Sequence, residues 1–100
     1  MKQKKPYDHK TVEKRLFSAY KTGKLPGRKT RTFLRKMARH IEHGWEIGRR
    51  DALSGKSMIE PSEIQLPRND NMLRGILLYT YAAYRTGYKN GKEAVRSGSI

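Results

Sequence analysis

Apolar residues recur at steps of three and four in three separate stretches of the chain. In the first, Val12, Leu16, Ala19 and Tyr20 form one stripe. That spacing predicts a helix over about 8–22, with Asp8 as its cap and Glu13 near its start. Gly23 and Pro26 are its stop signal. In the second, Leu34, Met37, Ala38, Ile41, Trp45, Gly48 and Ala52 define a buried face. It predicts a longer helix over about 32–54, with Thr30 or Thr32 as the N-cap. Gly44 and Gly48 each cost roughly 1 kcal/mol relative to Ala inside a helix. They point either to close approach of a neighbouring helix or to a kink near Trp45.

The third stretch has a different pattern. From Gly75 to Tyr84 it carries no charge, and its apolar residues wrap nearly the whole circumference of a helix. A helix apolar all round is buried among other elements or in lipid. This run is far shorter than the ~20 residues needed to span a bilayer. It predicts the central core helix, over about 71–97, with Asn69 or Asp70 as its cap. The fold expected is all-α: a small three-helix domain with a long proline-containing loop before a central C-terminal helix. Residues 1–7 precede it as a flexible basic arm, in which Pro6 discourages helix.

The connector over 55–70, GKSMIEPSEIQLPRND, is about sixteen residues long and exceeds the usual helix–helix loop. Pro61 and Pro67 bar a regular helix through it, and each pushes the residue before it toward extended geometry. Ile64 and Leu66 stand two apart, on one side of an extended segment. The connector reads either as an exposed recognition loop or as a surface crossover pinned by those two side chains.

Two faint echoes run through the chain. Gly44-Trp45-Glu46-Ile47-Gly48 parallels Gly87-Tyr88-Lys89-Asn90-Gly91, and Ala19-Tyr20-Lys21-Thr22-Gly23 parallels Ala83-Tyr84-Arg85-Thr86-Gly87. Two copies are too few for a solenoid. Gly-aromatic pairs suited to tight helix crossings are the simpler account.

Charge adds what the pattern does not show. The 23 Lys and Arg against 9 Asp and Glu give a formal charge of +14, which favours nucleic acid, an acidic protein surface or an anionic membrane. Hydrophobic residues are 35% of the chain, so a free monomer has a thin core and gains from docking on a larger partner. With no cysteine, disulfides and thiolate metal sites are excluded, and a reducing cytoplasm is the expected location. No signal-peptide core and no transmembrane run occur in the sequence.

No catalytic constellation emerges. His40 and His43 stand three apart beside Glu42 and Glu46, but the order HIEH is not HExxH, and His9 is remote. A solvated or core-edge role is expected for both imidazoles, and no cofactor is. Ser and Thr are scattered without a nucleophile elbow, and no phosphate loop is present. The expectation is a non-enzymatic protein.

The basic residues are the stronger signal. Lys24, Arg28, Lys29, Arg31, Arg35, Lys36 and Arg39 cluster around one aromatic, Phe33, and Arg49 and Arg50 follow on the same predicted helix. Guanidinium forks donate paired hydrogen bonds to phosphates or carboxylates. Arg28, Lys29, Arg31, Arg35, Lys36, Arg39, Arg49 and Arg50 are the candidate partner-binding residues. No helix-turn-helix or zinc-finger spacing accompanies them. Tyr79, Tyr81, Tyr84 and Tyr88 offer rings for base stacking, but their helical spacing favours core and core-edge places. A membrane-surface helix ranks below protein or nucleic-acid binding, because no clean Trp/Phe face opposes the lysines.

Two resemblances add expectations. Ala83-Tyr84-Arg85-Thr86-Gly87-Tyr88-Lys89-Asn90-Gly91 resembles the Ala-x-x-x-Gly-Tyr-x-x-Gly stretch of ribosome modulation factor, a small basic helical ribosome-binding protein. The family's following Cys-Pro-Tyr segment is absent here. Taken whole, a cysteine-free, strongly basic, all-helical chain of this size resembles the small anti-RecBCD modulators of temperate phages. That resemblance implies docking on the RecC subunit of the host nuclease-helicase and altered processing of DNA ends. It also implies recruitment of a host prolyl isomerase, with Leu66, Pro67 and Arg68 as the matching feature.

Overall fold

In a computed structural model the described residues form three α-helices and one short 3-10 turn. The structure describes residues 6–19 and 28–98, and of Arg28 and Lys29 the backbone alone. The helices are α1 (His9–Ala19), α2 (Arg28–Leu53) and α3 (Asn71–Arg96), and the turn is Pro61–Glu63. No strand occurs among the described residues. The all-α, three-helix expectation holds. The Gly23–Pro26 stop, Lys24, residues 20–22 and most of the 1–7 arm lie outside the described residues.

Helix ends follow the local chemistry. Asp8 caps α1: its carboxylate accepts hydrogen bonds from the Thr11 N–H at 3.2 Å and the Thr11 hydroxyl at 2.7 Å. Of the two candidates for α3, Asp70 is the cap, accepting from the Leu73 N–H at 2.9 Å. Neither Thr30 nor Thr32 caps α2, because that helix begins at Arg28 and both threonines lie inside it. At its other end α2 closes in a Schellman motif, with Lys56 N–H on the Asp51 carbonyl at 2.9 Å and Gly55 N–H on Ala52 at 3.2 Å. Gly55 takes φ +78°, a conformation costly for any residue with a Cβ.

The orientation of the helices explains the rest. Helix α1 runs antiparallel to α2: the His9 N–H donates to Glu42 at 2.7 Å, and Arg35 pairs with Glu13 at 3.1 Å. Helix α3 runs parallel to α2. Gly44 lies against Thr80, Gly48 against Tyr84, and Gly91 against Arg49 and Ala52, so both helices advance together. A Cβ on Gly48 would stand 2.0 Å from the Tyr84 carbonyl oxygen, and one on Gly87 would stand 2.0 Å from that of Trp45. The two backbones are in direct contact there, so Gly44 and Gly48 mark a close approach.

A parallel pair also dictates the long connector. The chain must return from the end of α2 to the start of α3, about 27 Å at 1.5 Å per helical residue. Tyrosines of α3 bind it on the way back. Tyr88 donates its hydroxyl to the Lys56 carbonyl at 2.6 Å, and Tyr81 donates to that of Ile59 at 2.8 Å. Tyr84 accepts from the Ile59 N–H at 3.1 Å and donates to the Asp51 carboxylate at 2.9 Å. Pro61 opens the single 3-10 turn, whose Glu60 and Glu63 form a reciprocal capping box. Every peptide bond described is non-cis.

One core cluster joins Val12 and Leu16 of α1 to Leu34, Ala38, Ile41 and Trp45 of α2 and Ile76 and Ala83 of α3. A smaller one holds Ala52, Tyr84 and Tyr88. The central helix is α2, which has interfaces to both others, and not α3 as the apolar run predicts: α3 packs mainly on α2 and leaves part of its apolar circumference open. The apolar wrap of Gly75–Tyr84 is only partly buried: Ile76 and Ala83 are enclosed, Leu77 is half-buried, and Leu78 is 49% exposed. The molecule is flat, 48 × 36 × 16 Å, with a radius of gyration of 15.1 Å against the ~13 Å of a compact 100-residue domain.

Candidate interaction surfaces

Helical geometry sorts the cations before any partner is considered. On α2 the buried face is Leu34, Ala38, Ile41, Trp45 and Ala52; Lys36, Arg39 and Arg50 are exposed on the opposite side, and Arg31 is exposed one turn before the first buried residue. Arg28 and Lys29 belong to the same helix. Two of the predicted binding residues have structural partners. Arg35 is bonded to Glu13 and ties α2 to α1, and half-buried Arg49 donates to the Asn90 side chain at 2.9 Å. With 23 cations and 9 acids in the chain, most of the positive charge has no acid to neutralise it.

A second cationic stripe, which the sequence reading did not single out, lies on α3. Arg85, Lys89, Lys92 and Arg96 are all exposed, and their 4, 3, 4 spacing puts them on one side. Lys92 sits 5.5 Å from the centroid of the Tyr88 ring. The spacing was available in the sequence. It directly follows the apolar run of the same helix, whose pattern dominates that stretch.

The four tyrosines are internal fittings. The rings of Tyr81, Tyr84 and Tyr88 follow one another at centroid separations of 6.2 and 6.3 Å, and their hydroxyls hold the connector. Tyr79 faces α1, meeting Tyr7 edge-on at 5.7 Å and accepting from Arg15 at 3.3 Å, which raises the Arg15 pKa further. Burial chiefly raises the Tyr84 pKa; the Ile59 N–H opposes that shift, and the hydrogen bond to Asp51 adds to it. A folded-state pKa above the unfolded value adds stability that is complete below about pH 10 and is lost as pH rises through the folded pKa. Tyr84→Phe should therefore lose roughly 1–3 kcal/mol at neutral pH and show a flatter alkaline limb in thermal melts. Unchanged stability on both counts would show that the hydroxyl does not clamp the connector.

Between α2, α3 and the connector lies an open apolar groove of about 240 Å³. Gly44, Ile47, Ile59, Leu77, Tyr81 and Tyr84 line it, with His40 and His43 on its α2 edge. Both imidazoles are exposed, and His43 Nδ1 stands 3.8 Å from Glu46. Among the described residues no group of three or more His, Cys, Asp or Glu could hold a metal ion. Ile64 also reaches the groove, and Leu66 and Pro67 are half-buried while Arg68 is exposed. The connector is therefore a pinned crossover with an accessible surface. No described helix is long and apolar enough to cross a membrane. No protein family, curated protein sequence or solved structure matches the chain.

Proposed function

We propose that this chain is a non-enzymatic phage modulator that docks on the RecC subunit of host RecBCD and alters DNA-end processing in favour of phage recombination. The observation that carries the reading is the exposure of cations on both long helices of a flat molecule, Arg31, Lys36, Arg39 and Arg50 on one and Arg85, Lys89, Lys92 and Arg96 on the other. Such a surface recognises carboxylates or phosphates over a wide area. Flatness and a thin core favour a chain that lies against a larger partner and gains stability there. A host prolyl isomerase is the second partner in this reading, engaged at Leu66, Pro67 and Arg68. Half-burial of Pro67 means the connector must lift for that engagement, and Pro67→Ala should abolish it while leaving the fold intact.

The same α3 stripe also fits a second reading, a basic module that binds DNA or ribosomal RNA directly. A salt series separates the two. Purified chain should bind RecBCD tightly and change its nuclease output, while naked duplex and structured RNA bind weakly. Tight nucleic-acid binding with a steep negative salt slope, and no RecBCD association, would replace the first reading by the second. Charge reversal at Arg31, Lys36 and Arg39 together should weaken partner binding at least ~10-fold with little change in melting, since exposed charges contribute little to stability. Arg35 is left out because its reversal would set two carboxylates against each other at Glu13.

A further inference from the structure

The groove between α2, α3 and the connector has its own chemistry, distinct from the cationic faces. Its floor is apolar, and the apolar track continues toward the start of both helices. Phe33, Met37, His40, Gly44 and Ile47 follow one another at steps of three and four, and Leu73 precedes Leu77 by four. From Phe33 to Ile47 this track is about 21 Å long at 1.5 Å per residue. The deepest part, about 240 Å³ and open to solvent, is smaller than the ~300–1,000 Å³ that encloses a typical small ligand. A run of side chains from another chain fits it better.

The rim selects the occupant. Lys36 and Arg50 extend the α2 edge beyond His40 and Ile47, and Arg74 and Arg85 flank Leu77 and Tyr81 on α3. All four cations are exposed, and Arg68 of the connector is exposed as well. The carboxylates of Glu60 and Glu63 are nearby but are bonded within their own turn. A second copy of the chain would bring another charge of +14 to a cationic rim, so self-association is opposed. Apolar floor and basic rim together match an amphipathic segment with apolar anchors on one face and carboxylates on the other.

We propose that this groove seats an acidic amphipathic segment of a partner protein. The inference rests on the protein-docking reading above and names the kind of segment that docks. It is tested by fluorescence polarisation with a labelled peptide of about sixteen residues, leucines on one helical face and glutamates on the other, beside a scrambled peptide of equal composition. The patterned peptide should bind saturably, at least ~10-fold tighter than the scrambled one. Ile59→Glu, at a side chain 41% exposed on the groove wall, should cost at least ~10-fold with helical content unchanged. Arg74→Glu combined with Arg85→Glu should cost a similar factor and reduce the salt dependence.

Equal affinity for both peptides would leave only charge attraction and overturn the groove assignment, as would no saturation at about 1 mM. Dimerisation of the chain that Ile59→Glu abolishes would also overturn it, in favour of a second copy. Displacement of the patterned peptide by a single-stranded oligonucleotide and not by apolar competition would assign the site to nucleic acid instead. Failure with the peptides alongside tight RecBCD binding sinks the groove and spares the docking reading. Patterned binding without RecBCD association does the reverse.

Discussion

Gly48→Ala and Gly87→Ala are each expected to lower stability by at least ~3 kcal/mol, a melting-temperature drop of roughly 12–24 °C for a domain of this size. On an isolated helix the same changes would be favourable by roughly 1 kcal/mol. The sign reverses because the new methyl meets backbone: the Tyr84 carbonyl oxygen 2.0 Å from a Cβ at position 48, and that of Trp45 2.0 Å from one at position 87. A carbonyl held in a helical ladder cannot rotate aside. The helices must separate, and the packing of Tyr84, Tyr88 and Ala52 goes with them. Gly44→Ala is the internal control. Its Cβ would meet the Thr80 methyl at 3.1 Å and the Thr80 carbonyl oxygen at 3.3 Å, so its net effect should stay within ~1 kcal/mol. Chemical denaturation of the three variants decides the matter. A Gly48→Ala protein as stable as the parent would mean that α2 and α3 do not pack in this parallel register.

The elements themselves were legible because amphipathic period and capping chemistry are local. Asp8, Asp70 and Gly55 act over three or four residues, and the α2 core positions are read from spacing alone. At the start of α2, Thr30 and Thr32 look like caps, yet Arg28 and Lys29 already have helical backbone. Both threonines are helix-compatible residues that happen to resemble start signals. Orientation was present in the sequence but indirect. Antiparallel neighbours need only short loops. A connector as long as 55–70, together with Gly44, Gly48, Gly87 and Gly91 at four-residue spacing, is the signature of a parallel return.

The candidate surfaces divide in the same way. Exposure of Lys36, Arg39 and Arg50 follows from their distance from the buried stripe on the helical circumference, whereas Arg31, in line with that stripe, is exposed one turn before its first buried residue. The engagement of Arg35 with Glu13 and of Arg49 with Asn90 depends on tertiary register, which no local pattern encodes. The groove is a tertiary feature too. It exists because the tyrosine hydroxyls hold the connector across one flank of α3 while α1 covers the other. Tyr79 and Tyr81 mark the two flanks: two positions apart on a helix, they point about 160° away from each other. One meets α1 and the other the connector.

The second large effect concerns the apolar run of α3. Ile76→Asp should abolish cooperative folding, because Ile76 is 0% exposed in the cluster shared by all three helices and a carboxylate there has no partner. Leu78→Asp, two positions on at a side chain 49% exposed, should change stability by no more than about 1 kcal/mol. From sequence alone the two leucine-like positions are equivalent, since the run looks apolar on every side. Structure separates them: Ile76 turns toward α1 and α2, and Leu78 turns toward solvent beside Arg74 and Arg85. Leu77, half-buried on the groove wall, should fall between, with Leu77→Asp weakening the fold without eliminating it. Circular dichroism and thermal melts of the three aspartate variants test that order. Equal damage from Leu78→Asp and Ile76→Asp would mean that α3 is enclosed on all sides, with no exposed apolar flank for a partner to meet.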